Sequence, residues 1–137
     1  IDLESVNLTL NLAELENMHV HKTGALIRAS VQLGALSHTD IDDSTLNKLD
    51  HYAKCIGLAF QIVDDILDVE MDTETMGKSQ GSDLARNKPT YPSIVGLSEA
   101  KQLAQDLYEE AVASVADLDE GGAMLTWIAE YIIRRQK

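Results

Sequence analysis

Along most of the chain apolar residues recur every three or four positions, the period of a helix with one buried face. From Leu12 the positions Leu15, Met18, Leu26, Ala29, Leu33 and Leu36 keep roughly that spacing. Asn11 and Glu14 stand as a capping pair at the start, and Lys22-Thr23-Gly24 interrupts the run. Ser37 to Asp43 reads as a polar connection. A second, longer helix is predicted from about Ser44 to Val69, passing through Tyr52, Cys55, Ile56 and Ala59. Met71 to Tyr91, with Gly77, Gly81 and Pro89, reads as a loop-rich stretch. Ser98 is placed to cap a third helix through about Leu118, and Gly121-Gly122 punctuates before a last helix from Ala123 to Arg135. No segment has the clear two-residue alternation of a strand, and the two prolines, Pro89 and Pro92, fall in one place. The predicted fold class is therefore all-α, a helical bundle.

One stretch breaks the apolar pattern. Phe60-Gln61-Ile62-Val63-Asp64-Asp65-Ile66-Leu67-Asp68 sets three carboxylates and an amide inside the second helix. Gln61 lies one turn from Asp64 and Asp65, and both of those lie one turn from Asp68, so one face is acidic. Carboxylates this close raise one another's pKa unless a cation neutralises them. Magnesium suits the task, because it takes one or two protein carboxylates and completes its shell with water and phosphate oxygens. An arbitrary D-D-x-x-D is more often a solvated surface face. Here Leu58, Ile62, Val63, Ile66, Leu67 and Val69 surround the aspartates, so the polar face needs a partner.

Composition narrows the partners. With 137 residues the chain is one domain's worth, and its start at Ile1 reads as a piece. A formal net charge of -12 argues against nucleic acid, which demands a basic footprint. A phosphate-handling protein this acidic needs metal ions or a few well-placed cations. Cys55 is the lone cysteine; it suits a reducing compartment and reads as a small core residue. No apolar run approaches the roughly 20 residues of a membrane span, and no signal peptide is visible.

Two of the remaining candidates carry two readings each. Lys78, Asp83, Arg86 and Lys88 lie in the glycine-containing stretch after the acidic helix, which is either a lid bringing cations to phosphate or a solvated loop. Lys22 either snorkels its head to water or, beside a loosening Gly24, points a cation and exposed carbonyls into a cavity. His19 and His21, two residues apart, leave a helix in different directions and carry no ligand role. Asp42-Asp43 and Glu109-Glu110 read as solvated charge. Arg134, Arg135 and Lys137 suit the negative end of the last helix.

Together, F-Q-x-x-D-D-x-L-D at Phe60 to Asp68, K-T-G at Lys22 to Gly24, G-K at Gly77-Lys78 and D-x-x-x-x-K-x-T-Y-P from Asp83 through Pro92 resemble the trans-prenyl diphosphate synthases. The runs H-K-T-G-A-L-I-R-A from His21 and Y-I-I-R-R-Q-K from Tyr131 resemble the bacterial farnesyl diphosphate synthase (geranyltranstransferase) type. Such enzymes carry two aspartate-rich motifs, and this chain has only the second. Residues 1–137 therefore resemble the C-terminal part of a single polyprenyl synthase domain, the C-terminal half of an isoprenoid synthase bundle.

The resemblance implies condensation of isopentenyl diphosphate with an allylic diphosphate, dimethylallyl or geranyl, with Mg2+ as cofactor. It implies Asp64 and Asp65 as metal ligands, with Asp68 in contact through water. Lys22, Lys78 and Lys88 would hold the allylic diphosphate, Thr23 and Gln61 would turn oxygens toward the allylic cation, and Phe60 would line the pocket. Arg134, Arg135 and Lys137 would close over the second substrate. A homodimer in the cytoplasm is also implied. Two alternatives stand beside this one: a non-catalytic helical partner that binds magnesium diphosphate, and a class I terpene cyclase. The cyclase is disfavoured because its second metal motif mixes Asn, Ser or Thr with Glu, whereas Asp64, Asp65 and Asp68 are all aspartate.

Overall fold

The computed structural model describes residues 13–14, 23–38, 40–75 and 89–136. Among these residues there is no strand, and five helices follow in order: α1 (Ala25–Leu36), α2 (Asp43–Thr75), α3 (Tyr91–Val95), α4 (Leu97–Val115) and α5 (Asp119–Arg134). The all-α expectation holds. At 33 residues α2 is about 50 Å long, and it serves as the axis of the bundle. It packs most extensively against α4, and α1, α3 and α5 also lie on it.

Several boundaries differ from the sequence expectation, each for a local reason. α2 starts at Asp43 because Asp42 caps it: its carboxylate accepts the Thr45 N–H at 2.7 Å. That bond holds the Asp42 carboxyl below its ordinary range, so the residue is a cap and not merely solvated charge. At its other end α2 runs past Val69 to Thr75, so Met71 is helical and not part of a loop. Glu70 and Met71 are good helix formers, and no glycine or proline intervenes before Gly77.

α3 is an element the sequence pattern does not predict: the loop-rich stretch ends at Tyr91, and residues 92–95 have no assigned element. Thr90 caps it reciprocally with Ser93, and Pro92 sits in the first turn, where its missing N–H costs nothing. Gly96, at φ 91°, makes the corner into α4, which starts at Leu97 without a side-chain cap. Gly121 and Gly122 lie inside α5 and do not precede it. The tight α4–α5 corner explains this, because a methyl on Gly122 would collide with the Val115 carbonyl.

The core forms two layers along α2. One contains Ile62, Val63 and Ile66 with Tyr91, Ala100 and Ala104. The other contains Tyr52, Cys55 and Ile56 with Ala111, Val115 and Ala129. Small residues at helical spacing on α4, Ala100, Ala104 and Ala111, let the two long helices approach closely. In the second layer the Tyr52 hydroxyl donates to the Leu125 carbonyl at 2.7 Å, and burial pushes its pKa up to about 12. Exposed apolar residues remain on α1 (Leu26, Leu33, Leu36) and on α5 (Met124, Trp127, Tyr131). No helix among the described residues is long and apolar enough to cross a membrane.

Candidate functional site

The first turn of α1 crosses α2 closely. Gly24 is buried, and a methyl built on Gly57 would stand 3.4 Å from its Cα, so the two glycines set the spacing of the helices. At this crossing the chain widens into a π-helical turn at Thr23–Gly24, a local distortion frequent at functional sites. The sequence reading took Gly24 as a loosening residue; the structure makes it a contact residue.

That crossing brings Thr23 within reach of Gln61, one turn beyond Gly57. The Thr23 hydroxyl donates to Gln61 Oε1 at 3.3 Å, and Gln61 Nε2 donates to Asp65 Oδ1 at 3.4 Å. The other Asp65 oxygen accepts the Tyr91 backbone N–H at 3.1 Å. A polar chain thus runs from α1 across α2 to the start of α3. Asp65 is buried, at 4 % exposure, and Tyr91 is fully buried.

The neighbouring aspartates behave differently. Asp64 is about half exposed, at 47 %, and Asp68 lies on the exposed surface one turn along. An Arg135 guanidinium nitrogen stands 3.9 Å from Asp64 Oδ1 and donates to the Phe60 carbonyl at 3.2 Å. The same guanidinium lies over the Phe60 ring, 4.4 Å from its centroid. Two carboxylates therefore face outward, Asp64 beside a cation, while the third is directed into the core. Asp64 and Asp65, both expected as metal ligands, are thus unlike in their surroundings: hydrogen bonds from Gln61 and Tyr91 hold Asp65 inward.

Of the predicted site residues, Thr23, Phe60, Gln61, Asp64, Asp65, Asp68 and Arg135 come together around the middle of α2. Arg134 does not join them. It reaches Glu130 at 3.6 Å and lies over the Tyr108 ring, because it ends α5 while the backbone of Arg135 is already extended. Lys22, Lys78, Lys88 and Lys137, together with Asp83 and Arg86, lie outside the described residues. Sequence reasoning missed Tyr91 and Gly57. The T-Y-P run was visible, and the structure gives it a job: Thr90 and Pro92 fix a turn whose Tyr91 N–H holds Asp65.

The all-α bundle thus sets outward carboxylates and a guanidinium side by side at the middle of its longest helix. Comparisons with known proteins place the chain among relatives. A family model described as Polyprenyl synthetase matches residues 1–124. The chain is 49% identical to farnesyl diphosphate synthase of Escherichia coli (strain K12), over 100% of this chain and 47% of that protein. It is 46% identical to a dimethylallyltranstransferase of Fischerella ambigua, over 98% of this chain and 39% of the relative. Among solved structures, a geranyltransferase from Helicobacter pylori complexed with magnesium and isoprenyl diphosphate superposes with a TM-score of 0.72 at 32% identity. That match covers 96% of this chain and 43% of the other. The chain belongs to the polyprenyl synthetase family. It spans a little under half the length of these relatives.

Proposed function

We propose that this chain supplies the diphosphate-releasing part of a trans-prenyltransferase, an enzyme that joins isopentenyl diphosphate to an allylic diphosphate such as dimethylallyl or geranyl diphosphate. The observation that supports this most is the division of labour among the three aspartates. Asp64 and Asp68 present carboxylates outward, and Asp65 is held from both sides, which fixes the rotation of the acidic face.

Mg2+ fits this donor set, because it takes hard carboxylate oxygens in small number and keeps several waters. Asp64 and Asp68 would hold it, and when bound it would neutralise the charge that develops on the departing diphosphate. Asp65 acts through its hydrogen bonds in this reading. Thr23 commits its hydroxyl proton to Gln61, so its oxygen offers only lone pairs to any other neighbour, the polarity suited to a cationic carbon. Phe60 offers an aromatic ring beside Asp64, and Arg135 offers a guanidinium suited to diphosphate oxygens. Lys22, Lys78 and Lys88 complete the cation set through the sequence motifs alone. A cytoplasmic homodimer accompanies the reading through the family resemblance.

The test is incorporation of radiolabelled isopentenyl diphosphate by the full-length protein. Asp64→Ala should lower turnover on the order of 100-fold or more, the scale of losing one preorganised stabilising group. Asp68→Ala should cost less, because in this reading its contact with the ion runs through water. Equal and small losses at both positions would leave a solvated acidic face and sink the proposal.

A further inference from the structure

On the opposite side of α2 from Asp64, a second set of ligand atoms converges. Cys55 and Asp64 are nine residues apart, which is about 14 Å along the helix and about half a turn around it. His51 and Cys55 are separated by four residues on α2, and Glu110 faces them from α4. His51 Nε2 lies 3.0 Å from Glu110 Oε1 and 3.6 Å from Cys55 Sγ. All three ligand atoms lie within 4.8 Å of one another. Cys55 is buried at the floor of this cluster, while His51 and Glu110 stand exposed at its rim.

We propose that His51, Cys55 and Glu110 form a zinc site that clamps α2 to α4, independent of the carboxylate site. The spacing supports this. With zinc bonds of about 2.3 Å to sulfur and about 2.1 Å to nitrogen or oxygen, a tetrahedral ion needs its ligand atoms roughly 3.4–3.6 Å apart. The sulfur-to-nitrogen separation already has that length, and the Glu110 side chain, 56% exposed, is free of packing that would prevent a small adjustment. The ligand types discriminate as well. Imidazole and thiolate favour zinc over magnesium, so the two faces of α2 sort the ions by hardness. The cluster also sits on a rigid part of the fold, because Cys55 belongs to the core layer that joins α2, α4 and α5. The exposed rim leaves a fourth position for water. Binding replaces the thiol proton, which passes to solvent.

Zinc competition against a chromophoric chelator, with magnesium in large excess, tests the site in the purified protein. One zinc ion per chain should bind, and cobalt in its place should give the thiolate-to-metal charge-transfer band. Cys55→Ser should abolish the band, and His51→Ala should weaken zinc binding by about 100-fold or more, since loss of outer-shell partners alone costs 10–100-fold. Glu110→Gln, an exposed substitution that leaves the core untouched, should weaken it by about tenfold or more. Asp64→Asn should leave the affinity unchanged. Zinc affinity that is indifferent to His51 and Glu110, a missing charge-transfer band, or loss of binding in Asp64→Asn would each overturn the proposal.

Discussion

The two core layers along α2 are built from similar apolar residues yet treat polar groups in opposite ways. In the Tyr52 layer the buried polar group is a hydroxyl that meets one carbonyl and remains neutral. In the Tyr91 layer a carboxylate is buried, and it depends on one donor a turn back on its own helix and one from the start of α3. The first arrangement needs only helix packing. The second needs α1, α2 and α3 to be correctly placed at once, because a buried carboxylate without its donors is costly. Packing stability and site geometry are thus concentrated in different layers of one helix pair.

The sharpest way to break this comparison is Asp65→Ala. It leaves the buried Tyr91 N–H without its acceptor, and hydrogen bonds to charged groups are worth about 1.5–3 kcal/mol. Urea unfolding should show a loss of that size, with faster amide exchange at Tyr91, whereas Asp64→Ala should stay within about 0.5 kcal/mol. Equal costs for the two would erase the distinction between inward and outward aspartates. Gly122→Ala probes the Tyr52 layer at its corner, where a methyl meets backbone that cannot yield freely; overpacking of this kind costs about 1–3 kcal/mol. An unchanged melting midpoint would show that the α4–α5 corner is looser than its geometry.

Tyr52→Phe should cost about 1 kcal/mol near neutral pH. It should also change the alkaline limb. Because the hydroxyl's pKa is raised from 10.0 to about 12, its contribution is full below pH 10 and is lost as pH rises through about 12. Wild-type melting should fall in that window more steeply than the variant's, and parallel curves would remove Tyr52 as the cause. The smallest effect belongs to a pair outside both layers. Arg28 donates to both Asp50 oxygens, at 2.9 and 3.1 Å, and holds that carboxyl below its ordinary 3.8. The unfolded chain takes up this proton first as acid is added, so the contribution is present above about pH 4 and lost as pH falls through the folded value. Both side chains are partly exposed, so Arg28→Ala should cost only about 0.5 kcal/mol at pH 7, and nothing in strong acid. A cost that persists in acid would point to packing.

Much of this architecture was legible in the chain. The three- and four-residue spacing fixed α2, α4 and most of α5, and the acidic face was plain from Gln61, Asp64, Asp65 and Asp68. The inward direction of Asp65 was not, since it follows from Tyr91, 26 residues further on, and not from the pattern of α2 itself. Similarly, Gly122 looked like a helix breaker because the contact that demands glycine, the Val115 carbonyl, comes from the preceding helix. Arg134 and Arg135 looked equivalent in sequence. Only the path of α5 against α2 assigns Arg135 to Phe60 and Asp64, and Arg134 to Glu130 and Tyr108.

The crossing of Gly24 and Gly57 works as a datum edge does in machining. Thr23, Gln61 and Asp65 are all located from it, and the Gly24 backbone is the nearest neighbour of the Gly57 position, ahead of the Ile27 side chain. Backbone is far less adjustable than a rotamer, so error does not accumulate along the series. The outer face of α1, with Leu26 and Leu33, can therefore drift in sequence without moving the site. A side chain larger than a methyl at Gly57 would displace every member of the series together, and no single compensating substitution further along could restore their alignment.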